Sequence, residues 1–538
     1  MNGADIMVKC LEAEGITNVF GYPGVAICPF YNSILESDIR TILIRTEQNA
    51  AHAASGYTRM DNKPGVCAVT SGPGATNLIT GIATAFADSI PLVCITGQVN
   101  SELLGSDVFQ EADITGACES FVKYSYLVKD ANDIPRIFKE AFHIANTGRK
   151  GPVLIDVPID VQNQKVKNFK YPEDISMRTY KPTVKGHAMQ IDKVVKALDV
   201  AKRPIICAGG GVLLADAKEE LLKFAEDNKL PVVTTMMGKG VMPTSHPLYF
   251  GMVGNNGMAY ANRAMNESDC LIMVGARVAD RAVSQPDLIT RDKVLVHIDV
   301  DPAEIGKNAG PTIPLVGDAK AIFEDLNKTE FDECDHDEWL EQLKVYRETM
   351  GIKRNPNSAY VDPAEFLKKL SAKMQDDAVY VADVGQNQIW SCAHVEVKKG
   401  TFMTSGGMGT MGYSIPAAMG AKLSSPDKQV VAVCGDGSFQ MSMMELGTMR
   451  QHNVPVKVIV MNNSFLGMVR QYQHFTYDDH YSVVDLTGSP NLEKLATAYD
   501  LPFIRVKDMS EADAAIDKFL ENDESYLMEI MIDPMDLV

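Results

Sequence analysis

Strand-like apolar runs alternate with helix-patterned segments along the whole chain, and this rhythm limits the fold more than any other feature. Runs such as GVCAVT and LVCITG are short, continuous and rich in β-branched residues, and each is followed by a longer segment of helical spacing. That order belongs to α/β domains with parallel sheets, because a parallel strand is reached only through a crossover. With 538 residues the chain is too long for one hydrophobic core. Two polar, irregular segments, residues 163–186 and 327–360, read as linkers or peripheral segments and divide it into three blocks. The expected fold class is α/β, with three doubly wound parallel-sheet domains over residues 1–165, 187–328 and 360–538.

The outer blocks echo each other. GVCAVTSGPGATNLITGIATAF runs a strand into Gly72-Pro73-Gly74 and then a helix, and VVAVCGDGSFQMSMMELGTM runs a strand into Gly435-Asp436-Gly437 and then a helix. Two domains of one type flanking a different middle domain is the economical reading. A net charge of −19 disfavours nucleic acid and anionic membrane as partners, since their phosphates would be repelled. Asp5, Lys9 and Glu12 break any signal-peptide core, and no run approaches the roughly 20 apolar residues that span a bilayer. The ten cysteines are scattered without a C-x-x-C pair, as reduced buried thiols are, so a cytoplasmic location is expected.

Asp436 is the informative residue of the third block. A helix that starts at the end of a parallel strand offers free N–H groups and a positive dipole end, a place for phosphate. A carboxylate there would repel the phosphate unless a hard divalent cation such as Mg²⁺ lay between them. Asn463 returns to the same sheet end after one helix and one strand, with an amide oxygen available, and the backbone carbonyl of Phe465 adds a third oxygen. In the first block, RTEQNAAHAASGYTRM places Glu47 at the start of a helix of small residues. Alone, Glu47 reads as an N-terminal helix charge.

The G-D-G, helix, strand, N-N series resembles the motif of thiamine-diphosphate enzymes, in which Asp436 and Asn463 would hold Mg²⁺ on the cofactor's diphosphate. DVGQNQ, with Gly385, Gln386 and Asn387, resembles that family's second diphosphate contact, and Gly435, Gly437, Ser438 and Met468 fall at cofactor-contact positions. The resemblance makes the outer domains pyrimidine-binding and diphosphate-binding, and makes Glu47 the carboxylate at the cofactor's pyrimidine N1′. It implies that Glu47 and the metal site come from different subunits of a homodimer or homotetramer.

VFGYPG, RTEQNAAHAASGYTR, VTSGPGATNLITGIATAFADSIPLVCITGQV, DVFQEADI, GPVLIDVP, TSGGMGTMG and GMVRQY narrow the resemblance. Together they are similar to the catalytic subunits of acetolactate synthases, which decarboxylate pyruvate on thiamine and join the two-carbon product to a second 2-oxo acid. On that resemblance Gly409 offers its carbonyl to the cofactor's amine and Met411 wedges beneath the cofactor, a role close to core packing. Phe109 and Gln110 face the reacting carbon, and Arg277 meets the acceptor's carboxylate, a structural salt bridge being its rival reading. CAGGGV (Gly209, Gly210, Gly211), HIDVDP (Asp299) and LVGDA (Asp318) resemble the elements that bind FAD, which is structural in this family. Three glycines alone often mean tight strand–helix packing. A small regulatory subunit is a further implied partner. His52 reads as a packing histidine, and Lys123 and Lys239 as solvated charges without a catalytic role.

Departures from the family's pattern cluster around substrate and flavin. GYPGV has Val25 where glycine is usual, Ile159 replaces a lysine, Asn255 and Asn256 fill a methionine-histidine pair, RVADR replaces RFDDR, GQNQ replaces GQHQ, and Tyr472 replaces tryptophan. The family's closing tail is not expected after MEIMIDPMDLV. These changes leave open a related lyase or hydrolase acting on another 2-oxo acid or a diketone. A flavin oxidoreductase resembling pyruvate oxidase and a non-catalytic scaffold are the more distant readings.

Overall fold

Each apolar run becomes a parallel strand covered on both faces, which is why the runs are continuous and not alternating. The structure is a computed structural model and describes residues 1–283, 285–331, 335–351 and 356–538. The first sheet contains β1 (Asn18–Tyr22), β2 (Arg40–Leu43), β3 (Gly65–Val69), β4 (Leu92–Gln98), β5 (Tyr124–Leu127) and β6 (Val153–Pro158), in the order β2-β1-β3-β4-β6-β5. The second contains β7 (Pro204–Ala208), β8 (Val232–Thr234), β9 (Tyr249–Met252), β10 (Cys270–Val274), β11 (Val294–Asp299) and β12 (Ile313–Val316), in the order β12-β11-β10-β7-β8-β9. The third contains β13 (Val379–Ala382), β14 (Thr401–Met403), β15 (Val430–Gly435), β16 (Lys457–Asn462), β17 (Phe503–Val506) and β18 (Tyr526–Met531), in the order β14-β13-β15-β16-β18-β17.

The third sheet repeats the strand order of the first, and the second has the order of doubly wound nucleotide-binding sheets. The sequence echo is therefore a repeat of topology, with a different domain between its two copies.

The first and third domains share one apolar core, running from Phe20, Cys67 and Leu92 to Val381, Ala432 and Val458. At its centre the helix Glu47–Asp61 lies against the helix Ser414–Ser424. A Cβ on Gly56 would stand 1.9 Å from the Ala417 carbonyl oxygen, and one on Gly420 1.8 Å from that of Ala53. Only helices this bare of side chains come so close.

Segment 163–186 packs back on the first domain, where Tyr180 Oη donates to the Thr147 carbonyl at 2.7 Å. Segment 327–360 is more than a linker: it contains the helix Asp337–Thr349, which buries Trp339, Leu343 and Tyr346 and donates from Trp339 Nε1 to the Pro204 carbonyl at 3.1 Å. Residues 332–334 and 352–355 of that segment lie outside the described residues. Among the described residues no helix is long and apolar enough to cross a membrane. Nine cysteines are free there, all buried except Cys28, and Cys334 lies outside the described residues.

Candidate active site

Three neighbouring strands of the third sheet, β13, β15 and β16, end on the same side and supply a first group of candidate residues. β13 leads through Gly385, at φ 134°, into the helix Gln386–His394, and β15 leads directly into the helix Asp436–Ser442. After β16, Asn463 and Ser464 turn back, with Ser464 at φ 58°. A cavity of about 60 Å³ lies between these turns. It is lined by Gly385, Gln386 and Asn387, by Gly435, Asp436, Gly437 and Ser438, and by Met411, Asn463, Phe465 and Met468. Asp436 is 4% exposed and its Oδ2 has no partner, and Asn387 Oδ1 is also buried and unpaired. Burial pushes the Asp436 carboxyl up to about 7, against the pull of nearby backbone N–H groups.

The surrounding residues hold this geometry. Asn463 Nδ2 donates to Gln386 Oε1 at 3.1 Å, and Asn463 Oδ1 accepts from the Phe465 N–H at 3.1 Å. Asp383 is fully buried and accepts from the N–H groups of Gly412 and Ser414 at 2.9 and 2.8 Å, which ties the Met411 loop to the Gly385 turn.

A second group of candidate residues lies in the first domain. Glu47 is the first residue of its helix, and Thr46 caps the helix by accepting from the Asn49 N–H. Glu47 Oε2 accepts from Asn77 Nδ2 at 3.0 Å, while Oε1 lies next to Gly74, where a Cβ would be 3.3 Å away. Gly72, at φ 58°, lies so close to Gln110 that a Cβ there would be 2.9 Å from that of Gln110. Gln110 itself has φ 61°, and the neighbouring Phe109 is 87% exposed. None of Glu47, Phe109 and Gln110 lines the small cavity of its own chain.

A larger cavity of about 670 Å³ opens between the three domains and shares Gly385 and Met468 with the small one. Gly210, Gly211, Arg277, Asp299, Asp318 and Gly409 line it, together with Arg149, Lys150 and Asn256. Gly209 is not in the wall. A Cβ on Gly209 would stand 2.2 Å from the Gly275 carbonyl oxygen and one on Gly211 2.6 Å from the Gly275 Cα, so these two glycines serve strand–helix packing. Burial pushes the Asp299 carboxyl up to about 6.

His52 is buried edge-on against Tyr413, 5.3 Å between centroids, and burial pushes its pKa down to about 3, so it is neutral packing. The expectation for the two lysines needs correction. Lys239 is 3% exposed and donates to the Cys392 carbonyl at 2.8 Å, and Lys123 donates to the Thr147 carbonyl at 2.7 Å; burial pushes them down to about 8 and about 7. Glu445 escaped the sequence reading. It is fully buried and accepts from the Arg45 N–H and from Asn49 Nδ2 across the domain boundary. Its only signal was a lone carboxylate in the apolar stretch MSMMELGTM.

Three family models match the chain. They are those of the thiamine pyrophosphate enzyme N-terminal TPP binding domain over residues 1–117, central domain over 191–326 and C-terminal TPP binding domain over 383–530. This chain belongs to the thiamine pyrophosphate enzyme family. It is 43% identical to the acetolactate synthase large subunit of Corynebacterium glutamicum, over 99% of this chain and 87% of that protein. It is 40% identical to the large subunit of Haemophilus influenzae, over 99% and 95%, and 40% identical to the acetolactate synthase of Arthrospira platensis, over 99% and 94%. The small cavity lies within the C-terminal TPP binding domain and Glu47 within the N-terminal one. The unpaired Asp436 and Asn387 oxygens, beside two helix N-termini, fit a diphosphate carried on a divalent cation. The larger cavity is of ordinary ligand size, and its wall mixes Arg149, Lys150, Arg277 and Arg281 with Asp88, Asp280, Asp299, Glu304 and Asp318, Arg149 being paired with Asp301 and Glu304.

Proposed function

We propose that this chain is the catalytic subunit of an acetolactate synthase, which decarboxylates pyruvate and joins the two-carbon product to a second 2-oxo acid. The buried Asp436 carboxyl in the Gly385–Asn463 cradle, with Oδ2 unpaired, carries the reading, because a cation would supply the partner that this oxygen lacks beside two helix N-termini. The choice of pyruvate rests on the full-length acetolactate synthase relatives, which favour it over a lyase or hydrolase of another 2-oxo acid or diketone.

Bound thiamine diphosphate supplies the electron sink. Asp436, Asn463 and the Phe465 carbonyl hold Mg²⁺. Gly385, Gln386, Asn387, Gly435, Gly437, Ser438 and Met468 would hold the diphosphate, and Met411, with Gly409 from the adjoining wall of the larger cavity, would orient the cofactor's rings. Glu47 holds a proton at the pyrimidine N1′, Phe109 and Gln110 close the face of the reacting carbon, and Arg277 takes the acceptor's carboxylate. Glu47 of one subunit completes the cradle of another, which requires a homodimer or homotetramer with its sites at the interface. This assignment is supported by the absence of Glu47 from its own chain's cavity wall.

FAD would sit in the larger cavity as a structural cofactor, held by Gly210, Gly211, Asp299 and Asp318, while Gly209 would contribute only through its packing on Gly275. The functional division follows residues 1–165, 187–328 and 360–538, and the assembly works in the cytoplasm. The name "large subunit" borne by two of the relatives supports a small regulatory partner. The test is incubation of the purified protein with thiamine diphosphate, Mg²⁺ and pyruvate, with and without FAD, followed by mass spectrometry of the products. Acetolactate is expected. A cofactor-loaded protein that makes none would overturn the reading and mark Val25, Ile159, Asn255, Asn256 and Tyr472 as a pocket for another substrate.

A further inference from the structure

We propose that Glu445 is a positioning residue that fixes Glu47 from the neighbouring domain; the proposal rests on the role assigned to Glu47 above. Oε1 of this fully buried carboxylate accepts from the Arg45 N–H at 3.0 Å and from Asn49 Nδ2 at 2.9 Å, and its Oε2 accepts from Thr448 Oγ1 at 2.6 Å. Residues 45 and 49 stand two positions to either side of Glu47, so one carboxylate clamps both flanks of the helix start.

The rest of the helix Glu445–His452 reinforces the grip along the edge strand β2. Thr448 Oγ1 contacts the Leu43 carbonyl at 3.3 Å, His452 Nε2 accepts from the Leu43 N–H at 3.0 Å, and Arg45 Nη2 donates to Gln451 Oε1 at 2.7 Å. An apolar side chain at position 445 would pack here without the cost of burying a charge. It would also leave the Arg45 N–H without an acceptor and the path to Glu47 unfixed. The Glu47 carboxylate keeps Oε1 beside Gly74, so its placement depends on the backbone that Glu445 holds.

Displacing a catalytic group by about 1 Å costs on the order of a hundredfold in rate. The readout is the exchange of the cofactor's thiazolium C2 proton with solvent deuterium, followed by NMR on protein saturated with thiamine diphosphate and Mg²⁺, with cofactor affinity measured alongside. Glu445→Ala is expected to bind the cofactor like the wild type and to exchange roughly ten- to a hundredfold more slowly. Glu445→Gln is expected to exchange at close to the wild-type rate, since its amide oxygen accepts from Arg45 and Asn49 and its N–H donates to Thr448 Oγ1.

Wild-type exchange in saturated Glu445→Ala, or a Glu445→Gln variant as slow as the alanine one, would overturn the proposal. If Glu445→Ala does not fold, Asn49→Ala takes its place: slowed exchange supports the clamp and wild-type exchange overturns it. Glu47→Gln run in parallel separates the two levels. Wild-type exchange there sinks the assignment of Glu47 and this proposal with it, whereas slow exchange there beside wild-type exchange in Glu445→Ala sinks the proposal alone.

Discussion

In the role proposed for it, Asp436 trades stability for binding. Its pKa is raised by burial from 3.8 to about 7, so the folded apo protein holds this proton more tightly than the unfolded chain does. The contribution to stability is therefore present in full below about pH 4 and is lost as pH rises through about 7. Asp436→Asn is expected to melt higher than the wild type without cofactor, by a margin that grows between those two values. The same substitution should weaken Mg²⁺-dependent thiamine diphosphate binding by at least about tenfold, because a carboxylate ligand is lost. Melting curves across pH and cofactor titrations check the two signs, and equal melting of both proteins at pH 8 would count against the burial argument. Glu47→Gln is expected to retain the cofactor while turnover falls about 10²- to 10⁴-fold, the range of a lost acid–base group. Steady-state turnover near wild type would remove Glu47 from its role.

At the scale of elements, the two helices that join the outer domains meet through Gly56 and Gly420. Gly420→Ala puts a methyl 1.8 Å from the Ala53 carbonyl oxygen. Overpacking of about 1–3 kcal/mol should outweigh the roughly 1 kcal/mol that alanine gains over glycine inside a helix. Chemical denaturation should show a net loss, and a stabilised variant would mean that the helices are not in contact. Strands, turns and the cradle were legible in the sequence because their signals are local: apolar runs, G-D-G, N-N. The contacts that join domains were not. Ala-rich spacing in residues 47–61 suggested small side chains but could not name helix 414–424 as their partner. Lys239 was read as a solvated charge and Glu445 was passed over, because the segments that bury them lie far away in the sequence. The glycines 209–211 carry both meanings that the sequence left open, Gly210 facing the cavity and its two neighbours packing on Gly275.

At the scale of the molecule, the proposed function makes two half-sites of each chain, the cradle in the third domain and the Glu47–Gln110 group in the first. The larger cavity predicts that protein purified with FAD retains it through gel filtration, and that Asp318→Lys lowers the retained flavin, read by absorbance after denaturation; unchanged flavin content would contradict the assignment. The central claim is that the half-sites pair between subunits to make acetolactate. Coexpression of Glu47→Gln with Asp436→Asn chains tests it most directly, assayed at a cofactor concentration that loads the wild-type cradle but leaves the Asp436→Asn cradle largely empty, so that each variant alone has little activity. Pairing across a two-fold interface leaves one intact site in every mixed dimer, so roughly a quarter of wild-type acetolactate formation should return in a random mixture. Activity that stays at the level of the separate variants, in a sample shown to contain mixed dimers, would contradict the account.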